Sequence, residues 1–437
     1  MDAKLMYFCL LLIGATACRS TDVPQQTYES IITGEISVPI KEDVKLPNLA
    51  FTPDVRALRP VSDTSPIRMM AYGGTYFAGF RSGGLFREGQ LTSIPELVAH
   101  QMQLPIFESP VFQTEHGNGS GYYLFDKKAS LPSWKHVTNQ TAIVSTSPLK
   151  LLPFDGKRVD NITCPEGPIA TADSSRYYFR YPRQKEYFAY LRRFFTKSGA
   201  ADNPFDFFSD SLESKTHILL RFDDMDLWVG MALHPKQLRI DEILHSGYFT
   251  AKRIFIENNL EKGRKIVLYN VPDFLDFPFF HLFDVKKLSE GDMHRQELTD
   301  GSLLIPSDRV KTLFAARQNI LLQDEDILSE NEVAGFRYTI QNILNKNATQ
   351  TFADQYNLPM VDLHTLFKQI FQGDYRTEQG FLIDPSFPNG NFFSDDGIHL
   401  TAIGNAVVAN ETVKTINKFY KTTIPLINLA DFSKSVR

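Results

Sequence analysis

Ile67-Arg68-Met69-Met70-Ala71-Tyr72-Gly73-Gly74-Thr75 carries the first clear change from strand to turn along the chain. Its first six residues form a short, mostly apolar run that predicts a β-strand, and the glycine pair that follows is a turn signal. Leu91–Met102 then predicts a helix, with Ser93 as N-cap and Glu96 completing a capping box. Strand, glycine turn and helix are the opening unit of an α/β domain.

The rest of the chain repeats this alternation. Further strands are predicted at His217–Phe222, Lys265–Asn270 and Met360–Leu363. Apolar residues at helical spacing predict helices over Ser329–Tyr356 and Thr401–Tyr420. Strands that alternate with helices indicate a parallel sheet covered on both faces.

The N-terminus has the pattern of an export signal. Lys4 precedes an apolar run from Leu5 to Ile13, which is too short to span a bilayer, and small residues precede Cys18. This arrangement resembles the bacterial lipobox, and it predicts a signal peptide over residues 1–17 and acylation of Cys18. The alternative is an ordinary signal peptide followed by a chance cysteine. The first interpretation implies an outer-membrane lipoprotein of the bacterial cell envelope, held to the membrane by lipid on Cys18.

The remainder divides into a tether and a body. Residues 18–66 contain several prolines and no sustained period, so we expect a lipid-anchored tether, followed by one domain over 67–437 with insertions near 103–175 and 274–325. The net charge of −5 and the absence of a basic stripe argue against a nucleic-acid partner. The 35 Phe residues predict an aromatic-rich core; an exposed aromatic surface for lipid, glycan or a partner is the alternative. Cys164 is expected to be a small buried hydrophobe.

Four motifs follow one another in a recognisable order: Tyr72–Gly79, Asn161–Gly167, Asp223–Asp226 and Asp396–Thr401. This order resembles the SGNH (GDSL-type) hydrolase superfamily. The resemblance implies a three-layer α/β/α sandwich with a flavodoxin-like parallel sheet. It also implies a serine nucleophile after the first strand, a Gly and an Asn that stabilise the oxyanion, and an Asp-x-x-His pair near the C-terminus. Single motifs of this kind are weak evidence, whereas their shared order is strong.

The likeness extends to the Bacteroidetes-type lipoproteins of this group and covers residues 67–428. It includes the Gly-Gly-Leu-x-Arg-Glu run Gly83–Glu88, the strand end Val271-Pro272-Asp273 and the patch Leu303–Asp308. The motifs place Thr75 at the nucleophile position, with His399 as base and Asp396 as its orienting carboxylate. A histidine that only caps the loop before a helix, and a threonine that bonds local backbone, are the structural alternatives.

The oxyanion motifs depart from the family pattern. Gly167 is the candidate of the second block, but Met225 stands where the third block has Asn. Methionine donates no hydrogen bond, and losing one oxyanion donor costs roughly 2.7–4 kcal/mol of transition-state stabilisation. Asp223 and Asp224 add negative charge nearby. A Ca²⁺ site at Asp223, Asp224 and Asp226 is a weaker interpretation than a solvated acidic turn, so we expect no metal and no cofactor.

Three functions remain open from the sequence. The first is an SGNH-like envelope lipoprotein with weak or lost ester hydrolysis that binds a glycan ester, a lipid ester or a protein partner. The second is an active esterase or lipase that uses Thr75, His399 and Asp396. The third is a structural lipoprotein subunit of an outer-membrane protein complex. Fold alone does not choose among them, because function depends on the site.

Overall fold

The computed structural model describes residues 32–40, 42–146, 149–156, 159–163, 189–190, 193, 215–222, 225–233, 248–287, 298–316 and 322–436. Its strands are β1 Ile32–Ile36, β2 Met69–Gly73, β3 Tyr122–Phe125, β4 Trp134–Val137, β5 Ile143–Thr146, β6 Leu149–Leu151, β7 Asn161–Thr163, β8 Ile218–Phe222, β9 Lys265–Tyr269, β10 Leu303–Leu304, β11 Ile327–Leu328 and β12 Met360–Val361. Its helices are α1 Thr75–Ala78, α2 Arg87–Leu91, α3 Ile94–Gln101, α4 Met225–Leu233, α5 Tyr248–Glu261, α6 Asp308–Ala316, α7 Glu330–Tyr338, α8 Thr351–Gln355, α9 Leu363–Phe371, α10 Ala402–Tyr420 and α11 Leu429–Ser435.

Of the described strands, five form one parallel sheet, the central sheet, in the order β12-β9-β8-β2-β7. Numbered along the chain and read from β7, this is the order 2-1-3-4-5 of doubly wound α/β domains. In such sheets ligands bind outside the carboxyl ends of the strands, at the point where the strand order reverses. That point lies between β2 and β8, where Gly73 is paired with Phe222.

Both faces of the central sheet are buried. Met69 and Ala71 of β2 pack in one core with α3, α4 and α10, whereas Met70 and Tyr72 pack in the other with α5. This alternation follows from the two-residue period of a strand, and it confirms the predicted α/β class. Phenylalanines fill the cores, as expected for an aromatic-rich interior; fully buried examples are Phe77, Phe274, Phe277, Phe279, Phe280, Phe367 and Phe392.

The four predicted strands are present as β2, β8, β9 and β12, but the fifth strand of the central sheet was not predicted. β7 lies within residues 103–175, which the sequence indicated as an insertion. The strand has three residues, and two of them are polar, so it carries no hydrophobic pattern of its own. The expected insertion therefore contains an edge strand of the central sheet.

The same stretch also contributes to a second sheet, the side sheet. Within the described residues it consists of β1, β4 and β3, with β4 in the middle, parallel to β1 and antiparallel to β3. Trp134 of β4 is fully buried, and the ring of Tyr123 on β3 stacks on His136 at 4.6 Å between centroids. The β3–β4 hairpin is thus a packed structure rather than a loop.

The tether expected over residues 18–66 is not a free spacer from Ile32 onward. β1 pairs with β4, and Asp43 forms a two-point ion pair with Arg87 at 2.7 and 2.6 Å. Leu58 is fully buried, and the backbones of Asp54 and Thr423 hydrogen-bond each other in both directions. Prolines favour an extended backbone without removing a strand's ability to pair at an edge, which is why composition alone suggested a linker. Residues 18–31, including Cys18, lie outside the described residues.

The helix predicted over Leu91–Met102 is present as α3 from Ile94, while Leu91 ends the separate helix α2, and the predicted capping box does not form. Ser93 stands at the N-cap without accepting a capping hydrogen bond. A complete capping box occurs instead at α7, where Ser329 and Glu332 bond each other's backbone N–H. The helical run predicted over Ser329–Tyr356 is present as α7 and α8, joined by a π-helical segment at Thr339–Gln350.

The region 274–325 has a small hydrophobic core of its own around Leu304, Val310 and Leu313, next to the antiparallel pair of β10 and β11. Its first residues pack against the loop before α10, where the Phe279 N–H donates to the Gly397 carbonyl at 3.1 Å. Among the described residues, no helix combines the length and apolar character needed to cross a membrane.

Candidate functional site

The centre of the site is the buried carboxylate of Asp396, in the loop before α10. Its side chain is fully buried. Within the described residues it accepts hydrogen bonds from five donors: His399 Nδ1 at 2.7 Å, Gly83 N at 2.8 Å, His399 N at 2.8 Å, Ile398 N at 2.9 Å and Ser394 Oγ at 3.1 Å. A buried charge is tolerated only when it is paired and hydrogen-bonded in this way.

These contacts set the ionisation of Asp396. Burial by itself raises the pKa of the carboxyl, but the electrostatic interaction and hydrogen bond with His399, with the backbone N–H groups of Ile398 and His399, lower it to about 2. The group is therefore ionised throughout the physiological range and acts as an acceptor. The ionised carboxylate fixes the proton of His399 on Nδ1, because it has no proton to donate.

The His399 ring is held between an aromatic side chain of α1 and one that follows this helix. Its centroid lies 5.4 Å from that of Tyr76 and 5.0 Å from that of Phe80. The side chain retains 11% exposure, and none of the described residues hydrogen-bonds Nε2. An imidazole with Nδ1 bound to a carboxylate and Nε2 unengaged has the arrangement of a general base.

Thr75 is the first residue of α1, directly after β2 and the N-cap Gly74. Its side chain is buried, and the next residue links this segment to the histidine loop: the Tyr76 hydroxyl donates to the Ile398 carbonyl at 2.6 Å. The end of the first sheet strand and the loop before α10 therefore meet at one place. The structure brings Thr75, Asp396 and His399 to the same end of the central sheet.

Met225 begins α4, immediately beyond β8, and its side chain is buried in the core that α3 and α10 share. A buried thioether provides no N–H at the position where the family resemblance places an amide. Gly167, Cys164, Asp223 and Asp224 lie outside the described residues, as does the side chain of Asp226. In the described part of the chain, no group of three metal-ligating side chains comes together.

Three contributors were not predicted. Gly83 lies in the Gly83–Glu88 motif, but the motif implies no role for it, and Ser394 lies in no motif. Asn161 donates its amide to the Phe77 carbonyl at 3.1 Å and accepts from Thr163 at 2.8 Å, which ties α1 to β7. The signal that was available for Gly83 is its glycine pair, because a φ of +69° favours glycine.

No model of a known protein family matches the chain, and no curated protein matches it. Among solved structures, the chain is similar to a crystal structure of an acetyl xylan esterase, AlAXEase, with a TM-score of 0.24 and 13% identity. The alignment covers 48% of this chain and 71% of that one. A similarity of this size adds nothing to what the site geometry supports.

Proposed function

We propose that this chain is an SGNH-type, three-layer α/β/α lipoprotein of the cell envelope that hydrolyses esters slowly, with Thr75 as nucleophile, His399 as base and Asp396 as orienting carboxylate. One observation carries the proposal. The Asp396–His399 pair is buried and fully hydrogen-bonded on the Nδ1 side, while Nε2 has no partner among the described residues. A structural histidine would gain stability from bonding both ring nitrogens, so the open Nε2 favours a chemical role.

The sheet order supports the same proposal. Thr75 follows β2, which lies beside β8 at the strand-order reversal where doubly wound sheets bind ligands. In the reaction, His399 Nε2 takes the proton of the Thr75 hydroxyl as its oxygen attacks the ester carbonyl carbon. The alcohol leaves with that proton, and water activated by His399 then cleaves the acyl-threonine.

Two features make the proposed reaction slow. The methyl group of Thr75 restricts the side-chain torsion and crowds the attack path. The buried thioether of Met225 cannot donate a hydrogen bond to the developing oxyanion. In hydrolases that have such a donor, its removal lowers kcat about 100- to 1000-fold. Acyl or acetyl esters of glycans or lipids are the substrate class that the family resemblance implies.

Release of p-nitrophenol from its acetate and butyrate esters tests this proposal on the chain from residue 19 onward. Thr75→Ala and His399→Ala are each expected to abolish turnover, and Thr75→Ser to raise it. The matched control is His364→Ala on α9, outside the proposed pair. Turnover that survives both Thr75→Ala and His399→Ala would contradict the proposal.

A second function is favoured by Met225 itself. A site that keeps the Asp396–His399 pair but has a thioether at position 225, in place of an amide donor, is suited to holding an ester-bearing glycan or lipid without cleaving it. In that case the wild-type protein binds an acetylated oligosaccharide or a lipid ester in calorimetry and releases no acid. Hydrolysis that depends on Thr75 would exclude this alternative.

A further inference from the structure

Two peptide units next to the Asp396–His399 pair are held from outside the central sheet, by the β3–β4 hairpin of the side sheet. The first is the Ser82–Gly83 peptide. Its N–H donates to Asp396 Oδ2 at 2.8 Å, and its carbonyl accepts the N–H of Tyr123 on β3 at 2.7 Å. Because a peptide unit is planar, the bond to Tyr123 fixes the direction in which the Gly83 N–H points.

The second unit is the peptide between Asp395 and Asp396. Its carbonyl accepts the indole N–H of Trp134 on β4 at 2.6 Å. This peptide ends at the Cα atom of Asp396, so its orientation sets the direction of the Asp396 side chain. Trp134 is fully buried, and its ring packs edge-on against Phe125 at 5.3 Å, which leaves the indole little freedom to turn.

Close packing against the hairpin holds the Ser82–Gly83 peptide in place. A Cβ on Gly83 would lie 2.6 Å from the Tyr123 ring, and one on Gly84 would lie 1.8 Å from the Gly121 carbonyl oxygen. Ser394 adds a second tie, since its hydroxyl accepts the Ser82 N–H at 2.9 Å and donates to Asp396 Oδ1 at 3.1 Å. The Gly83–Gly84 turn is thus packed between the β3–β4 hairpin and the carboxylate of Asp396.

We infer that the β3–β4 hairpin is a positioning element for the Asp396–His399 pair, and that Trp134 is its principal positioning residue. Proton transfer depends on the direction of the imidazole, and misplacement of a reacting group by about 1 Å costs on the order of 100-fold in rate. The stretch that looks like an insertion in the sequence therefore contributes to catalysis without touching substrate. The kinetic part of this inference rests on the proposed ester hydrolysis, whereas the geometric part does not.

The chain offers a matched control in its second tryptophan, because both tryptophans are fully buried. Trp134 donates to Asp395, whereas the indole nitrogen of Trp228 on α4 has no hydrogen-bond partner among the described residues. Trp134→Phe and Trp228→Phe remove similar volumes from the interior. We expect Trp134→Phe to lower kcat for p-nitrophenyl acetate about 10-fold with KM changed less than twofold, and Trp228→Phe to change neither.

A readout independent of turnover is the low-field proton NMR signal of the His399 Nδ1–H, assigned by its loss in His399→Ala. It is expected to shift or broaden in Trp134→Phe and to keep its position in Trp228→Phe. A wild-type protein that hydrolyses no ester would overturn the proposed function, and the NMR signal would then decide the inference alone.

An isosteric variant separates the hydrogen bond from packing. In Trp228→Phe, Trp134 is the remaining tryptophan, so growth of a tryptophan auxotroph on benzothienylalanine replaces its N–H with sulfur and keeps the ring shape. The inference requires the same loss of kcat and the same signal change in this protein. An unchanged kcat and signal would overturn it, as would equal effects of Trp134→Phe and Trp228→Phe.

Discussion

Gly83 donates its backbone N–H to Asp396 Oδ2, the same carboxylate oxygen that holds His399 Nδ1. The two bonds are 2.8 and 2.7 Å long, and they reach the oxygen from segments more than 300 residues apart in the chain. The orientation of the histidine thus depends on a turn that lies shortly after α1. Substitutions in this turn are expected to affect both stability and the proposed chemistry.

Gly83→Ala tests how closely the turn packs against Tyr123. Alanine at a φ of +69° costs about 1–2 kcal/mol, and the new Cβ would meet the Tyr123 ring at 2.6 Å, which adds about 1–3 kcal/mol. Gly263→Ala is the control, because its φ of +73° is similar and nothing lies within 4 Å of the added Cβ. Urea unfolding should show the larger loss in Gly83→Ala; equal losses would mean that the turn has room to move.

The low pKa of Asp396 links stability to pH. Its folded-state pKa of about 2 lies below the ordinary value, so its contribution is complete at pH 5 and above and is lost as the pH falls toward 2. Relative to Asp396→Asn, the wild-type free energy of unfolding should fall by about 2 kcal/mol between pH 6 and pH 2. Urea titrations of both proteins measure this difference, and parallel pH curves would contradict the pairing.

Glu96 is expected to have the opposite dependence. Burial, with the nearby Asp160 carboxylate, raises the pKa of Glu96 to about 7. A raised carboxyl pKa means that stability is greatest below about pH 4 and declines as the pH rises through 7. Glu96→Gln should therefore stabilise the protein by about 3 kcal/mol at pH 8 and by little at pH 4. The exposed Glu42→Gln serves as control, and a Glu96→Gln gain that is the same at both pH values would contradict the assignment.

Much of the central sheet was predictable, because β2, β8, β9 and β12 coincide with apolar runs. β7 was not predicted, because a strand of three residues with two polar side chains has no hydrophobic pattern. Its place in the sheet is set by its pairing with β2. The pairing of Asp396 with His399 could be predicted from their local spacing. Ser394 and Trp134 could not be predicted, because they act through contacts with residues 82 and 395 that only the folded chain brings together.

Met225 provides a test of the missing donor. Met225→Asn introduces an amide N–H at the start of α4 and is expected to raise kcat for p-nitrophenyl acetate at least about 10-fold in the Thr75→Ser background. Burying the amide should cost about 1–3 kcal/mol of stability, so unfolding is followed in parallel. Met225→Leu keeps the site apolar and should leave kcat unchanged. A gain in Met225→Leu equal to that in Met225→Asn would show that packing, not a donor, limits the rate.

Lipid attachment at Cys18 is tested by metabolic labelling of the full chain with a palmitate analogue. The proposed acyl chains each contribute about 0.8 kcal/mol per buried CH₂, which makes attachment with several chains stable. Cys18→Ala is expected to abolish the label, whereas Cys164→Ala should retain it in full. Because an uncleaved signal segment also holds a chain at the membrane, the label and the intact mass are the readouts rather than the membrane fraction. A label that persists in Cys18→Ala would contradict the lipobox interpretation and leave the proposed roles of Thr75 and His399 unaffected.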